Sequence, residues 1–152
     1  MISEVLQKVS NAKTKAEKIA LLQEHTTDAL LSVIIINYDN SVVSLLPEGR
    51  PPYKENDAPK GTEHTVLEKE ARLLFNFFKG GNPSLSQTRR EMIFIQMLEG
   101  LHADEAEVVV LAKDKKLTDK YKRITFKVIQ EAFPDVKWGG RSWHHPVIIL
   151  LY

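Results

Sequence analysis

The sequence predicts an all-α fold, a single-domain bundle of about seven short helices interrupted by one long proline-rich loop. Three observations carry that prediction. Apolar residues recur at three- and four-residue spacing along most of the chain, and Ser, Thr or Asp stands three positions ahead of Glu or Gln where several of those runs begin. The β-branched run Val33 to Ile36 reads equally well as a buried strand, but no second strand is available to pair with it before the loop. At 152 residues the chain has the usual length of one domain, enough to bury roughly two-thirds of its unfolded surface in a core.

Taken in order, Ile2, Val5, Leu6 and Val9 fall on one face of a short first helix that ends near Ser10-Asn11. "TKAE", Thr14 to Glu17, has the form of a capping box ahead of Ile19, Ala20 and Leu22 and opens a second helix. Asp28 is placed to cap a third, "ALLSVIIINY". The loop Pro47 to His64 holds four of the seven prolines, and its length marks it as functional or as a hinge. It divides a helical part at 1–46 from a larger one at 65–140, with an atypical apolar tail at 141–152.

Beyond the loop, "TVLE", Thr65 to Glu68, predicts a helix that buries Val66, Leu67, Leu73, Leu74, Phe77 and Phe78 and stops at Gly80-Gly81. "SLSQ", Ser84 to Gln87, starts the next, whose inner part from Met92 to Leu98 is nearly all apolar. Asp104 with Glu107 caps a helix running to about Lys113, and Thr125 to Phe133 is the last clear one before Pro134.

Composition excludes several function classes. Hydrophobic residues at 43% and charged residues at 27% are ordinary globular values, and a formal charge of +1 gives no global attraction to nucleic acid or to an anionic membrane. Cysteine is absent, so disulfides, thiolate nucleophiles and cysteine zinc sites are excluded. "MISEVLQKVSNAKTKAEKI" has charges every few residues and is neither a signal peptide nor a spanning helix. The chain reads as an intracellular protein without a membrane partner.

Catalytic constellations are not visible. His25, His64, His102, His144 and His145 fall in no metal-ligand spacing, so neither metal nor any other cofactor is expected. Asp104, Glu105 and Glu107 resemble a carboxylate cluster, but acids in a first turn complement the helix dipole and satisfy its unpaired amides. "KGGNPS", Lys79 to Ser84, lacks the spacing and terminal lysine of a phosphate-binding loop, and helix termination explains its glycines. The chain is therefore read as non-enzymatic.

The cations are more informative. Lys113, Lys115, Lys116, Lys120, Lys122, Arg123 and Lys127 stand against only Asp114 and Asp119, with Tyr121 and Phe126 interleaved. Such a patch tracks phosphates by charge pairing and counterion release, and an interleaved aromatic stacks on an exposed base. The plainer alternative is a solvated, lysine-rich turn. Arg89 and Arg90 point about 100° apart on a helix, so both cannot face the core. They form ordinary ion pairs with residues such as Glu91 or Glu99, or they hold a phosphate at the helix start.

"MISEVLQKVSNAKTKAEKIALL", "APKGTEHTVLEKEARLLF", "GGNPSLSQTRREMIFIQMLEGLHADEAEVVVLAKDKKL" and "FPDVKWGG" resemble a family of small uncharacterised proteins of T-even-type myoviruses, including those of marine cyanobacteria. The resemblance covers most of residues 1–140 and implies a phage protein in the cytoplasm of an infected bacterial host; it brings no activity to carry over. A weaker likeness runs to the N-terminal helical DNA-binding domain of the T-even phage ATP-dependent DNA ligase. It rests on the opening short helix, the "TK" turn and second helix, and on "EAEVVVLAKDKKL" followed by a short helix ending in "FP". No adenylation lysine motif follows, so the likeness implies a stand-alone helical module that grips duplex DNA or docks on a replication protein.

Two expectations follow. The first is an accessory protein binding duplex DNA without sequence specificity through Arg89, Arg90, Lys113, Lys115, Lys116, Lys120, Lys122, Arg123 and Lys127. The second is an adaptor that binds a phage or host protein through Pro47 to Gly61 with no DNA contact. The apolar tail "RSWHHPVIILLY", Arg141 to Tyr152, predicts packing on the chain's own core or against a second copy in a homo-oligomer.

Overall fold

The run "ALLSVIIINY" lies in a helix, and that helix is at the centre. In the computed structural model, which describes residues 1–59, 65–141 and 143, every residue from Ala29 to Asn37 is buried. A helix apolar on all sides is stable only when surrounded. Here the β-branched run is covered by helices that follow the loop, so its strand preference is overridden by packing.

The described residues are all-α, with isolated bridges in place of strands. The helices are α1 (Ile2–Asn11), α2 (Lys15–Glu24), α3 (Asp28–Tyr38), α4 (Leu67–Glu70), a 3-10 helix (Ala71–Phe77), α5 (Gln87–Gly100), α6 (Ala103–Lys113), α7 (Leu117–Lys120) and α8 (Phe126–Ala132). α3 packs on α6, on α4 and on the 3-10 helix; α1 packs on α2 and α6, and α8 lies along α2. One apolar cluster takes in Leu6, Leu22, Ile34, Leu67, Phe77, Leu98, Val108, Leu117 and Ile129, so the helices on both sides of the loop share a core.

Capping chemistry sets most helix starts, at times from a neighbouring residue. The hydroxyl half of the α2 box forms as expected, with Thr14 Oγ1 accepting from the Glu17 amide, while Glu17 reaches back one residue further than a box requires, to the Lys13 amide. α3 is capped by Thr27 rather than Asp28, and α5 by Ser86 rather than Ser84, each hydroxyl accepting from the amide three residues on. α6 is capped by His102, whose Nδ1 accepts from the Asp104 amide in place of a carboxylate cap. Glu105 instead turns inward and accepts the Ile2 and Ser3 amides at 3.1 and 2.8 Å, capping α1 from 103 residues away in sequence. α8 forms where a helix was expected, with Thr125 as its cap, its hydroxyl accepting from the Val128 amide.

The segment after the loop departs most from expectation. Thr65 is not a cap; its hydroxyl donates to Glu70 Oε1, Val66 is exposed, and α winding lasts only to Glu70. The chain then tightens into the 3-10 helix because its far end is committed elsewhere. Phe78 is extended and bridges Ser44, while Phe77 O accepts from the Leu45 amide and Val43 O from the Lys79 amide. Gly80 supplies a positive φ of 90° in the following turn, and Gly81 lies against the Phe75 carbonyl where a Cβ does not fit. α5 is also less apolar in its contacts than in its composition. It buries Arg90, Phe94, Met97 and Leu98, whereas Met92 is 48% exposed and Gln96 faces solvent.

The proline-rich stretch is fastened along 47–59. Gly49 donates to Asp114, Lys54 to Glu99, and Asn56 bridges His102, while Arg50 pairs with Glu55 and lies over the Tyr53 ring. Its expected end, 60–64, lies outside the described residues, as does most of the tail, 142 and 144–152, with the packing and self-association expected of it. Within the tail, Arg141 pairs with Asp39 and Trp143 stacks on Phe78 at 5.2 Å. Among the described residues no helix is long and apolar enough to cross a membrane.

Candidate nucleic-acid interface

Arg89 and Arg90 have different roles. Arg90 is buried, and its guanidinium spans the turn before α5. Nε donates to Asn76 O at 2.8 Å, Nη1 to Gln87 Oε1 at 2.7 Å, and Nη2 to Asn82 O and Leu85 O at 3.2 and 3.1 Å. The partners are a side-chain amide and backbone carbonyls, not the carboxylates expected from the sequence. A planar fork of donors suits that task, because it satisfies several carbonyls of an irregular turn at once. Arg89 is exposed.

Two lysines of the expected patch are also internal. Lys113 is buried, and its Nζ donates to Pro47 O and Gly49 O at 2.9 and 2.8 Å and pairs with Asp114 at 2.9 Å. It fixes the start of the proline-rich segment. Lys115 has φ +60° and sends Nζ to Ile36 O and Asp39 O at 2.6 and 2.8 Å, closing the C-terminal end of α3. Burial lowers its pKa, with nearby Asp39 opposing that shift. Arg90, Lys113 and Lys115 are therefore withdrawn from the phosphate-binding set: each is occupied by protein acceptors.

Lys116 is exposed and pairs with Glu48 at 3.2 Å, and Lys120 pairs with Glu107 at 3.1 Å. Glu48 raises the Lys116 pKa. Both sites are partly neutralised. Tyr121, one of the two interleaved aromatics, is 2% exposed, so it belongs to the core and not to a ligand surface.

Lys122, Arg123 and Lys127 remain, all exposed, and none pairs with a carboxylate among the described residues. The fold holds them firmly. The Ser10 hydroxyl at the end of α1 donates to Lys122 O at 2.7 Å, and the Tyr38 hydroxyl at the end of α3 donates to Ile124 O at 2.5 Å. Between those two anchors Arg123 has φ +67°, a left-handed conformation that costs an L-residue about 1–2 kcal/mol. Long-range bonds on both sides keep it there.

The Ser10 bond brings in cations that sequence spacing cannot group with Lys122. Lys8 is in the last turn of α1, Lys13 lies in the α1–α2 turn, and both are exposed. Lys15 opens α2 and pairs with Glu131 of α8. Lys127 lies one turn before Glu131 on the same helix. The end of α1 thus meets the backbone at Lys122, and the start of α2 is tied to α8. Arg89 stands on other supports, at the start of α5, where Gln87 donates to Leu45 O.

Phe126 lies at the same end of α8. It is 39% exposed, with Tyr38 parallel at 6.2 Å and Trp138 edge-to-face at 5.1 Å. Elsewhere, a cleft of about 280 Å³ is lined by Leu46, Pro47, Pro51, Pro52, Phe94 and Ile95, together with Glu48, Arg50, Glu91 and Lys113.

The model of a family of unknown function, DUF6433, matches residues 5–119. No curated protein and no solved structure matches the chain.

Proposed function

We propose that this chain, which belongs to the DUF6433 family, is a non-catalytic, single-domain helical module that binds DNA through its phosphate backbone without reading bases. The observation that carries the reading is the Ser10–Lys122 bond, which unites two cationic stretches more than a hundred residues apart. The binding set is Lys13, Lys122, Arg123 and Lys127, with Lys8 at its edge and Lys116 and Lys120 contributing less because each already has a carboxylate partner. A surface of this kind releases counterions on binding and fixes no base identity. The resemblance to small myovirus proteins supports a setting inside an infected bacterium.

A second reading, a protein adaptor, is favoured by one observation. The cleft beside Pro47 and Pro52 is mostly apolar with Glu48, Arg50 and Glu91 among its lining residues, and Lys113 fixes the Pro47 and Gly49 carbonyls beside it, a mix that suits a peptide partner.

Fluorescence anisotropy with labelled duplex DNA at two salt concentrations tests the first reading. Affinity falls steeply as salt rises, and replacing Lys13, Lys122, Arg123 and Lys127 by Ala flattens the log–log slope by up to about 3.6, at about 0.9 per phosphate contact. Absence of binding by the intact chain at low salt contradicts it and leaves the adaptor reading.

A further inference from the structure

We infer that Phe126, backed by Tyr38 and Trp138, is a stacking platform for an unpaired base, so that the preferred ligand is single-stranded nucleic acid. The inference rests on the backbone-binding reading and narrows it to a substrate class. The described residues with large exposed apolar side chains are Val43, Val66, Met92 and Phe126, and Phe126 is the aromatic one.

Its position is set by the fold. Thr125 caps α8 and fixes the backbone at the first helical residue, Tyr38 lies parallel to the ring on one side, and Trp138 meets it at 87°. Tyr38 is itself held by its hydroxyl bond to Ile124 O. A ring so supported and 39% exposed meets a ligand at little cost in side-chain entropy.

Charge complementarity selects the occupant. Arg123 and Lys127 flank Phe126 in sequence, and Lys122 is joined to the same surface through Ser10. Nucleic acid supplies both complements, an anionic backbone for the cations and a flat base for the ring. A duplex keeps its base faces stacked inside and offers only phosphates. An acidic peptide likewise engages the cations and leaves the ring unused.

The test measures anisotropy of the full chain with labelled probes of equal length: a thymidine DNA oligomer, its uracil RNA counterpart, an abasic strand with the same backbone, and a duplex. Circular dichroism confirms that Phe126→Leu is folded. The intact chain binds the base-bearing strands roughly tenfold more tightly than the abasic strand, and Phe126→Leu removes most of that difference. Tryptophan fluorescence is quenched by the thymidine oligomer and not by the abasic strand, and Trp138→Phe abolishes the quenching. The DNA and RNA arms assign the sugar. Equal affinity for thymidine and abasic strands, or tighter binding to duplex, overturns the platform while backbone binding stands. No binding to any probe at low salt overturns both.

Discussion

Replacing Arg90 by Met separates a structural arginine from a ligand-binding one. Met keeps an unbranched stem that packs where the arginine methylenes lie, but removes every donor. The change strands Asn76 O in a buried position and takes partners from Asn82 O, Leu85 O and the Gln87 side chain, which are only partly buried. An unsatisfied buried carbonyl costs about 1–3 kcal/mol, and the partly buried acceptors regain water at smaller cost, for a total of about 2–4 kcal/mol. Against a typical domain stability of about 5–15 kcal/mol the variant still folds, with a melting midpoint lowered by roughly 5–12 °C. Thermal and urea unfolding followed by circular dichroism measure the loss, and anisotropy on the folded variant shows unchanged DNA affinity. A variant that keeps its stability within about 0.5 kcal/mol and yet loses DNA affinity refutes the reasoning, because Arg90 then acts on the ligand.

Three further outcomes are expected. Burial pushes the Asp39 carboxyl up, but hydrogen bonds from Ser41 and Gly139, with the charge of Arg141, outweigh it and hold it below the usual carboxylate range. Its folded pKa being depressed, the stability it contributes is present above the unfolded value of about 4 and is lost as pH falls through the folded one. Asp39→Asn flattens that acid limb in urea titrations between about pH 5 and 2; an unchanged limb contradicts the assignment. Lys113→Met leaves Asp114 without its ammonium partner and frees Pro47 O and Gly49 O, costing about 2–4 kcal/mol. Hydrogen exchange then speeds up around Gly49, and affinity for DNA is retained. Gly81→Ala drives a Cβ into the Phe75 carbonyl and destabilises the turn by about 1–3 kcal/mol, read as a lower urea midpoint at unchanged slope.

The fold was legible where local chemistry and packing agree. The Thr14 cap of α2, the last helix after Thr125 and the helical α3 follow from sequence because hydroxyls, periodicity and the lack of a strand partner point the same way. The segment after Thr65 was not legible, since its winding is decided by the bridge from Phe78 to Ser44, a pairing no periodicity announces. The expected site divided for a related reason. A basic stretch in sequence does not distinguish a lysine that faces water from one that meets carbonyls, and Lys113, Lys115 and Arg90 meet carbonyls supplied by distant loops. Lys13 was missed because the tie between the end of α1 and Lys122 runs through Ser10. A hydroxyl buried on the apolar face of α1 was the available signal that the helix end is tied to another segment.

Amide chemical-shift mapping during a titration with DNA tests the central claim most directly, because it locates the contact surface without altering the protein. The shifted amides are expected to cluster at Ser10 to Lys15 and Lys122 to Lys127, while those around Arg90 and Pro47 to Pro52 stay in place. Shifts concentrated around the Pro47 to Pro52 cleft or the start of α5, with the α1–α2 turn silent, contradict it.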